Sequence, residues 1–178
     1  ETDLILPILG LFNSKIRRFK TNRLSLIKKI NDEVLDKNNN IWFHVASLGE
    51  YEIAVPLIRA LKKKYKKKII LTFFSESGFK LKKRITEIDN TYYLPLDTKS
   101  NAKRFLDAIN PQLVIFIKSE IWPNFLSEIK KREIKCFLVE SRFKKNSRYL
   151  SGIQSILYLE KLKIFHKIFT TDQESKEI

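Results

Sequence analysis

The chain has 178 residues, with 35 Lys and Arg against 20 Asp and Glu, so its formal net charge is +15, and 43% of its residues are hydrophobic. This apolar content excludes an intrinsically disordered protein, which buries too little apolar surface to offset the entropy of ordering its chain. The single cysteine, Cys136, excludes a secreted module stapled by disulfides within the chain. With only four glycines, the sequence has neither a G-x-G-x-x-G dinucleotide fingerprint nor a P-loop.

Residues 1–38 form the first predicted unit. Apolar residues recur at intervals of three and four from Leu11 to Val34, among Lys, Arg and Asn, which predicts one or two amphipathic helices with a basic face. Basic side chains interleaved with apolar ones over residues 15–23 favour a helix lying in a membrane interface over a helix that reads bases. We therefore expect residues 1–38 to be a basic amphipathic segment apposed to a membrane.

From residue 39 onward, apolar runs alternate with segments of helical spacing. The runs predict strands over 41–46, 69–74, 92–94, 113–117, 135–139 and 168–170. The spacing between them predicts helices over 51–65, 77–88, 101–109, 123–132 and 150–165. Near-continuous apolar strands separated by helices indicate a doubly wound α/β domain over residues 39–178, with a mainly parallel sheet of about six strands. Ligands are then expected at the carboxyl ends of the strands.

Glu50 is the first candidate at that edge of the sheet. It follows a strand and Gly49 at the start of a predicted helix, where free backbone N–H groups favour an ionised carboxylate. From position alone, Glu50 is either an ordinary acid at a helix start or a general base that withdraws a proton from a hydroxyl.

Three later loops carry further candidates. Ser75, Ser77 and Gly78 open a predicted helix, which suits either an anion held by backbone amides or an ordinary serine N-cap. Glu120 lies directly after a buried strand, and Arg142, after the next one, offers a forked donor for phosphate or carboxylate. The position of Arg142 is compatible with either an ordinary surface arginine or an arginine that binds a ligand.

The other ionisable residues carry less specific signals. His44 lies within a strand and is interpreted as an interior histidine whose ring nitrogens have hydrogen-bond partners. The chain has two His and one Cys, too few for an ordinary zinc site of nitrogen and sulfur ligands. The lysine runs 62–64 and 66–68 are typical of a solvated helix end. The net charge nevertheless favours a polyanionic partner, either nucleic acid or an anionic membrane.

Four ordered motifs resemble those of the bacterial 3-deoxy-D-manno-octulosonic acid (Kdo) transferases. Residues 42–50, W-F-H-V-A-S-L-G-E, resemble the W-F-H-x-A-S-x-G-E signature of that family. The other matches are 93–97 to Y-x-P-x-D, 120–124 to E-x-W-P-N and 141–142 to the start of A-R-L-S. The similarity extends from about residue 12 to the end of the chain, and four motifs in order are far more specific than any one of them.

The resemblance implies the Rossmann-like, acceptor-binding, amino-terminal half of a GT-B glycosyltransferase, without the carboxyl-terminal donor-binding domain. The family transfers Kdo from the donor substrate CMP-Kdo to a hydroxyl of the lipid A precursor, with inversion and without a required metal or cofactor, during lipopolysaccharide biosynthesis. By this resemblance Glu50 is the general base. Ser47, Gly49, Ser75, Ser77, Gly78, Glu120 and Arg142 are the expected acceptor-binding residues.

Two departures from the family pattern leave roles open. Many members carry a second acid at the position of Lys118 and an asparagine near that of Glu140, so acceptor contacts there are expected to differ. The implied site of action is the cytoplasmic face of the bacterial inner membrane, with the isolated chain inactive because half of the cleft is missing. The alternative hypothesis is a non-enzymatic, basic α/β domain that binds nucleic acid, whereas the resemblance implies no nucleic-acid partner.

Overall fold

The computed structural model describes residues 21, 23, 25–34, 39–75, 79, 87–144 and 153–177. Six helices and six strands lie in these ranges. The helices are α1 (Leu26–Glu33), α2 (Leu48–Tyr65), α3 (Lys99–Ile109), α4 (Pro123–Lys131), α5 (Ile153–Leu162) and α6 (Gln173–Glu177). The strands are β1 (Asn40–Val45), β2 (Lys68–Phe73), β3 (Asn90–Tyr93), β4 (Pro111–Ile117), β5 (Lys135–Ser141) and β6 (Lys167–Thr170).

The six strands form one sheet in the order β3-β2-β1-β4-β5-β6. Every neighbouring pair is parallel. The chain runs outward from β1 to β3, crosses over to β4, and runs outward again to β6, so the direction of winding reverses between β1 and β4. This confirms the predicted doubly wound α/β fold, and it places the expected ligand crevice at the carboxyl ends of β1 and β4.

Alternate residues of the strands bury two separate hydrophobic cores. Trp42, Ile70 and Val114 face one core, which includes residues of α1, α3 and α4. Ile41, Leu71 and the other intervening residues face the second core, against α2. The two-residue period of a strand sends successive side chains to opposite faces, so strands with apolar residues at every position require cover on both sides.

Helix α1 is part of the folded body. Leu26, Ile30 and Val34 are buried in the same core as Trp42. The three- and four-residue spacing noted in the sequence therefore serves to pack this helix against the sheet and α3.

Some predictions lie outside the described residues. These are the amino-terminal residues 1–20, most of the predicted helix over 77–88, and the candidates Ser77 and Gly78. Among the helices that the structure describes, none combines the length and apolar character required to cross a bilayer.

Candidate active site

Glu50 lies at the carboxyl edge of the sheet, where β1 turns into α2. The Ala46 N–H donates to Glu50 Oε2 over 2.6 Å, so the carboxylate closes the turn between strand and helix. Ser47 is the N-cap residue of α2 in an extended conformation, and its side chain makes no capping bond. A Cβ added to the exposed Gly49 would meet no atom of the described residues within 4 Å, so there is open space at the residue next to Glu50.

The surroundings raise the pKa of the half-buried Glu50. Loss of solvent is the largest cause, and the negative charge of Glu120 adds to it. The hydrogen bond from Ala46 and the positive charge of Lys118 act in the opposite direction. A carboxyl whose pKa is moved upward toward neutrality is a better proton acceptor than an ordinary surface glutamate.

Glu120, in the loop after β4, is fixed by two donors. The Trp122 Nε1–H donates to Glu120 Oε2 over 2.8 Å, and His44 Nε2 lies 3.2 Å from the same oxygen. The side chain of Glu120 remains 19% exposed. The protein thus holds Oε2 of Glu120, while part of the side chain faces solvent. Glu120 is also near enough to Glu50 to affect the ionisation of Glu50.

His44 is fully buried behind Glu120, as predicted for an interior histidine with satisfied nitrogens. Its Nδ1 lies 2.9 Å from Thr72 Oγ1, on the paired residue of β2. The Trp42 Nε1–H donates to the same hydroxyl over 2.8 Å. Sequence reasoning did not single out Thr72 or Trp42 as site residues. The available signal was Thr72 itself, the single polar residue in the apolar run 69–74, because a buried hydroxyl needs a hydrogen-bond partner.

Asp97 joins two of the sequence motifs. Its carboxylate accepts from the backbone N–H groups of Asn124 and Phe125 at 3.1 to 3.2 Å, and the Asn124 side chain donates to the Asp97 carbonyl over 2.8 Å. Trp122, the N-cap residue of α4, provides no side-chain cap of its own. Asp97 therefore caps α4 from another loop and fixes the segment that carries Glu120.

Lys118, directly after β4, and Glu140, one residue before the end of β5, have left-handed backbone conformations, with φ of 62° and 60°. The Lys118 N–H donates to the Val139 carbonyl, and the Ser141 hydroxyl donates to the Lys118 carbonyl. These bonds hold the ends of β4 and β5 together. They place the exposed Lys118 side chain within electrostatic range of Glu50.

The remaining predicted site residues divide into two groups. Ser47, Gly49 and Ser75 lie at the same edge as Glu50, and the Ser75 N–H donates to the Ala46 carbonyl. Arg142 lies at the end of β5 and forms an ion pair with Asp172, with Nε 3.0 Å from the carboxylate. In this structure Arg142 is therefore not joined to Glu50 or Glu120.

Arg23 turns inward toward the site edge, although the sequence placed it on a basic helix face. Its guanidinium donates to the carbonyls of Leu94 and Phe74 over 2.7 and 2.9 Å, and it lies over the rings of Phe74 and Tyr93. Burial lowers the pKa of Arg23 to about 10, which still leaves it charged at neutral pH. This contact ties the amino-terminal segment to the ends of β2 and β3.

The lysine run lies at the opposite edge of the sheet. Lys66 ends α2 and Lys68 begins β2, so both mark the amino ends of the strands. β1 and β2 have six residues each, and strands rise about 3.3 Å per residue, so roughly 20 Å separates these lysines from Glu50.

Within the ranges that the structure describes, no three His, Cys, Asp or Glu side chains lie close enough together to hold a metal ion. This edge of the sheet carries two carboxylates that interact electrostatically, Glu50 and Glu120, with Lys118 beside them.

Comparison with known proteins identifies relatives of this sequence. Residues 18–178 match the family described as 3-deoxy-D-manno-octulosonic-acid transferase (kdotransferase). A 3-deoxy-D-manno-octulosonic acid transferase of Haemophilus influenzae is 29% identical over 151 residues, covering 84% of this chain and 35% of that protein. The corresponding Rickettsia conorii enzyme is 33% identical, covering 65% of this chain and 25% of that protein.

A further relative and a solved structure extend this comparison. A bifunctional glycosyltransferase/methyltransferase of Fusobacterium nucleatum is 26% identical, covering 90% of this chain and 25% of that protein. The crystal structure of a UDP-N-acetylglucosamine 2-epimerase superposes with a TM-score of 0.57 at 15% identity, covering 80% of this chain and 42% of that one. At this identity the likeness shows the fold alone. The chain spans about a quarter to a third of the curated relatives it matches.

Proposed function

Because the chain belongs to the 3-deoxy-D-manno-octulosonic-acid transferase family, we propose that it is the acceptor-binding domain of an enzyme that transfers Kdo from CMP-Kdo to a hydroxyl of a lipid A precursor. The observation that carries this proposal is the position of Glu50. Its carboxylate is held by the Ala46 N–H beside an open surface, at the crevice where a doubly wound sheet binds ligands.

In the proposed reaction, Glu50 accepts the proton of the acceptor hydroxyl as the hydroxyl oxygen attacks the anomeric carbon of Kdo. The new C–O bond forms on the face opposite the bond to the CMP phosphate, which breaks, and CMP leaves with its electron pair. Partial burial and the charge of Glu120 favour this role, because both raise the pKa of Glu50. The acceptor is expected to lie along Ser47, Gly49 and Ser75.

We further propose that the enzyme acts at the cytoplasmic face of the inner membrane, with the carboxyl edge of the sheet toward the lipid acceptor. The lysines of residues 62–68 lie at the far edge of the sheet, so they are not expected to contact an acceptor that is bound near Glu50. We expect the basic segment of residues 1–38 to make the membrane contact.

A transfer assay tests this function directly. We expect the full-length protein, of which this chain is the proposed amino-terminal domain, to form a Kdo-containing product from CMP-Kdo and a lipid A precursor. The 178-residue chain alone should form none, because we propose that the donor binds mainly to a part of the enzyme outside these residues. Robust transfer by the chain alone would overturn the proposed division of the cleft, and no transfer by the full-length protein would overturn the function.

The pH dependence of kcat/KM in the full-length protein should respond in opposite directions to two neighbouring charges. Glu120→Gln removes a negative charge that raises the pKa of Glu50, so the acid limb should move to lower pH. Lys118→Gln removes a positive charge that lowers it, so the acid limb should move to higher pH. Equal or unidirectional displacements of the two profiles would argue against Glu50 as the titrating base.

A further inference from the structure

The hydrogen bonds behind Glu120 form a chain with a single direction. The Trp42 Nε1–H can only donate, so Thr72 Oγ1 accepts from it. At the other end, Glu120 Oε2 accepts from the Trp122 Nε1–H and is therefore an acceptor, so the His44 nitrogen that faces it must carry hydrogen. The donor at Trp42 and the acceptor at Glu120 therefore determine which atoms of Thr72 and His44 donate and which accept.

The state of the imidazole follows from these ends. Complete burial lowers the pKa of His44 and favours the neutral ring, despite the opposing effect of Glu120. A neutral ring with hydrogen on Nε2 has an acceptor at Nδ1, which lies 2.9 Å from Thr72 Oγ1. The hydroxyl hydrogen of Thr72 then points to Nδ1 rather than to the Phe43 carbonyl at 3.4 Å.

Packing prevents the ring from turning away from this arrangement. His44 makes edge contacts with Phe116 and Trp122, with ring centroids 5.8 and 5.6 Å apart. Trp122 also donates to Glu120 Oε2, so the carboxylate oxygen receives hydrogen bonds from two side chains that brace each other. Thr72 and His44 are paired residues on the adjacent strands β1 and β2, so the sheet fixes their relative position.

We propose that His44 is a positioning residue, which donates from Nε2 to Glu120 and holds that carboxylate beside Glu50, with Thr72 and Trp42 fixing its tautomer. This inference rests on the proposed function, since fixing Glu120 affects the reaction only if Glu50 takes part in it. His44, Thr72 and Trp42 are completely buried, so His44 is argued to act through Glu120.

Two amide substitutions separate positioning from packing. His44→Gln retains an N–H donor near the place of Nε2, whereas the shorter His44→Asn can reach Thr72 but not Glu120. In the full-length protein we expect His44→Asn to lower kcat by about 10- to 100-fold with little change in KM, as for loss of a hydrogen bond to a charged group. His44→Gln should recover at least part of that loss. Equal kcat values for the two variants would overturn the proposal.

A second measurement uses the 178-residue chain itself and needs no transferase activity. Nitrogen-15 NMR of the imidazole should show a hydrogen on Nε2 and none on Nδ1 at pH 7. Thr72→Val, which removes the hydroxyl that donates to Nδ1, should shift the nitrogen-15 resonance of Nδ1 while Glu120 keeps hydrogen on Nε2, and Thr72→Ser should restore the Nδ1 resonance. A wild-type ring with hydrogen on Nδ1, or a doubly protonated one, would overturn the inference. If the full-length protein transfers no Kdo, the proposed function fails, and the tautomer still decides whether His44 holds Glu120.

Discussion

We expect Glu50→Gln to lower kcat of the full-length protein by about 10² to 10⁴-fold, the usual contribution of a general base. The substitution removes the proton acceptor and leaves the shape of the site. An amide oxygen can still accept from the Ala46 N–H, so the start of α2 should remain formed. The measurement is the initial rate of Kdo transfer at saturating CMP-Kdo and lipid A precursor.

Glu52→Gln is the matched control for this experiment. Glu52 lies two residues further along the same helix, but it is exposed. Its replacement makes the same change in charge and should leave kcat unchanged. If Glu50→Gln also retained near-normal turnover while folding normally, another group would have to accept the proton.

Trp42→Ala should lower the free energy of unfolding of the chain by about 3–5 kcal/mol, the range for removing a large buried ring. Trp42 is completely buried, and its ring centroid lies 5.0 to 5.6 Å from those of Phe105, Phe116 and Phe125. The truncation would leave a cavity at the junction of the sheet with α3 and α4. Urea denaturation followed by circular dichroism measures the change.

Tyr65→Ala provides the comparison for this loss. Tyr65 is 51% exposed at the end of α2, and a substitution at such a surface position should change the free energy of unfolding by no more than about 0.5 kcal/mol. A similar small change for Trp42→Ala would mean that the aromatic cluster does not hold the two helices on the sheet.

The class of fold was predictable because the strands are apolar at nearly every position. Runs such as 69–74 and 113–117 favour strands with both faces covered. Six predicted strands and the predicted helices over 51–65, 101–109, 123–132 and 150–165 were located with small differences at their ends. The order of the strands was not predicted, since pairing of β1 with β4 depends on contacts between distant residues. The short α6, which has five residues, has too little periodicity to predict.

The site was predictable in part for the same reason. Glu50 and Glu120 follow neighbouring strands, so the rule for doubly wound sheets brings them to one edge. The network behind them was not predicted, because nothing local connects Thr72 to His44. Arg23 was assigned to a basic face, since helical spacing does not show that its guanidinium turns toward backbone carbonyls at the ends of two strands.

Reciprocal hydrogen bonds join Asp97 and Asn124, although 27 residues separate them in the chain. The two loops that carry these residues should therefore move as one unit. Replacing only the segment around Asp97 with one that has no carboxylate at that position would leave the start of α4 without its partner. Exchange of these loops within the family should therefore succeed when both segments are transferred together, so that the segment around Asp97 accompanies the segment that it anchors.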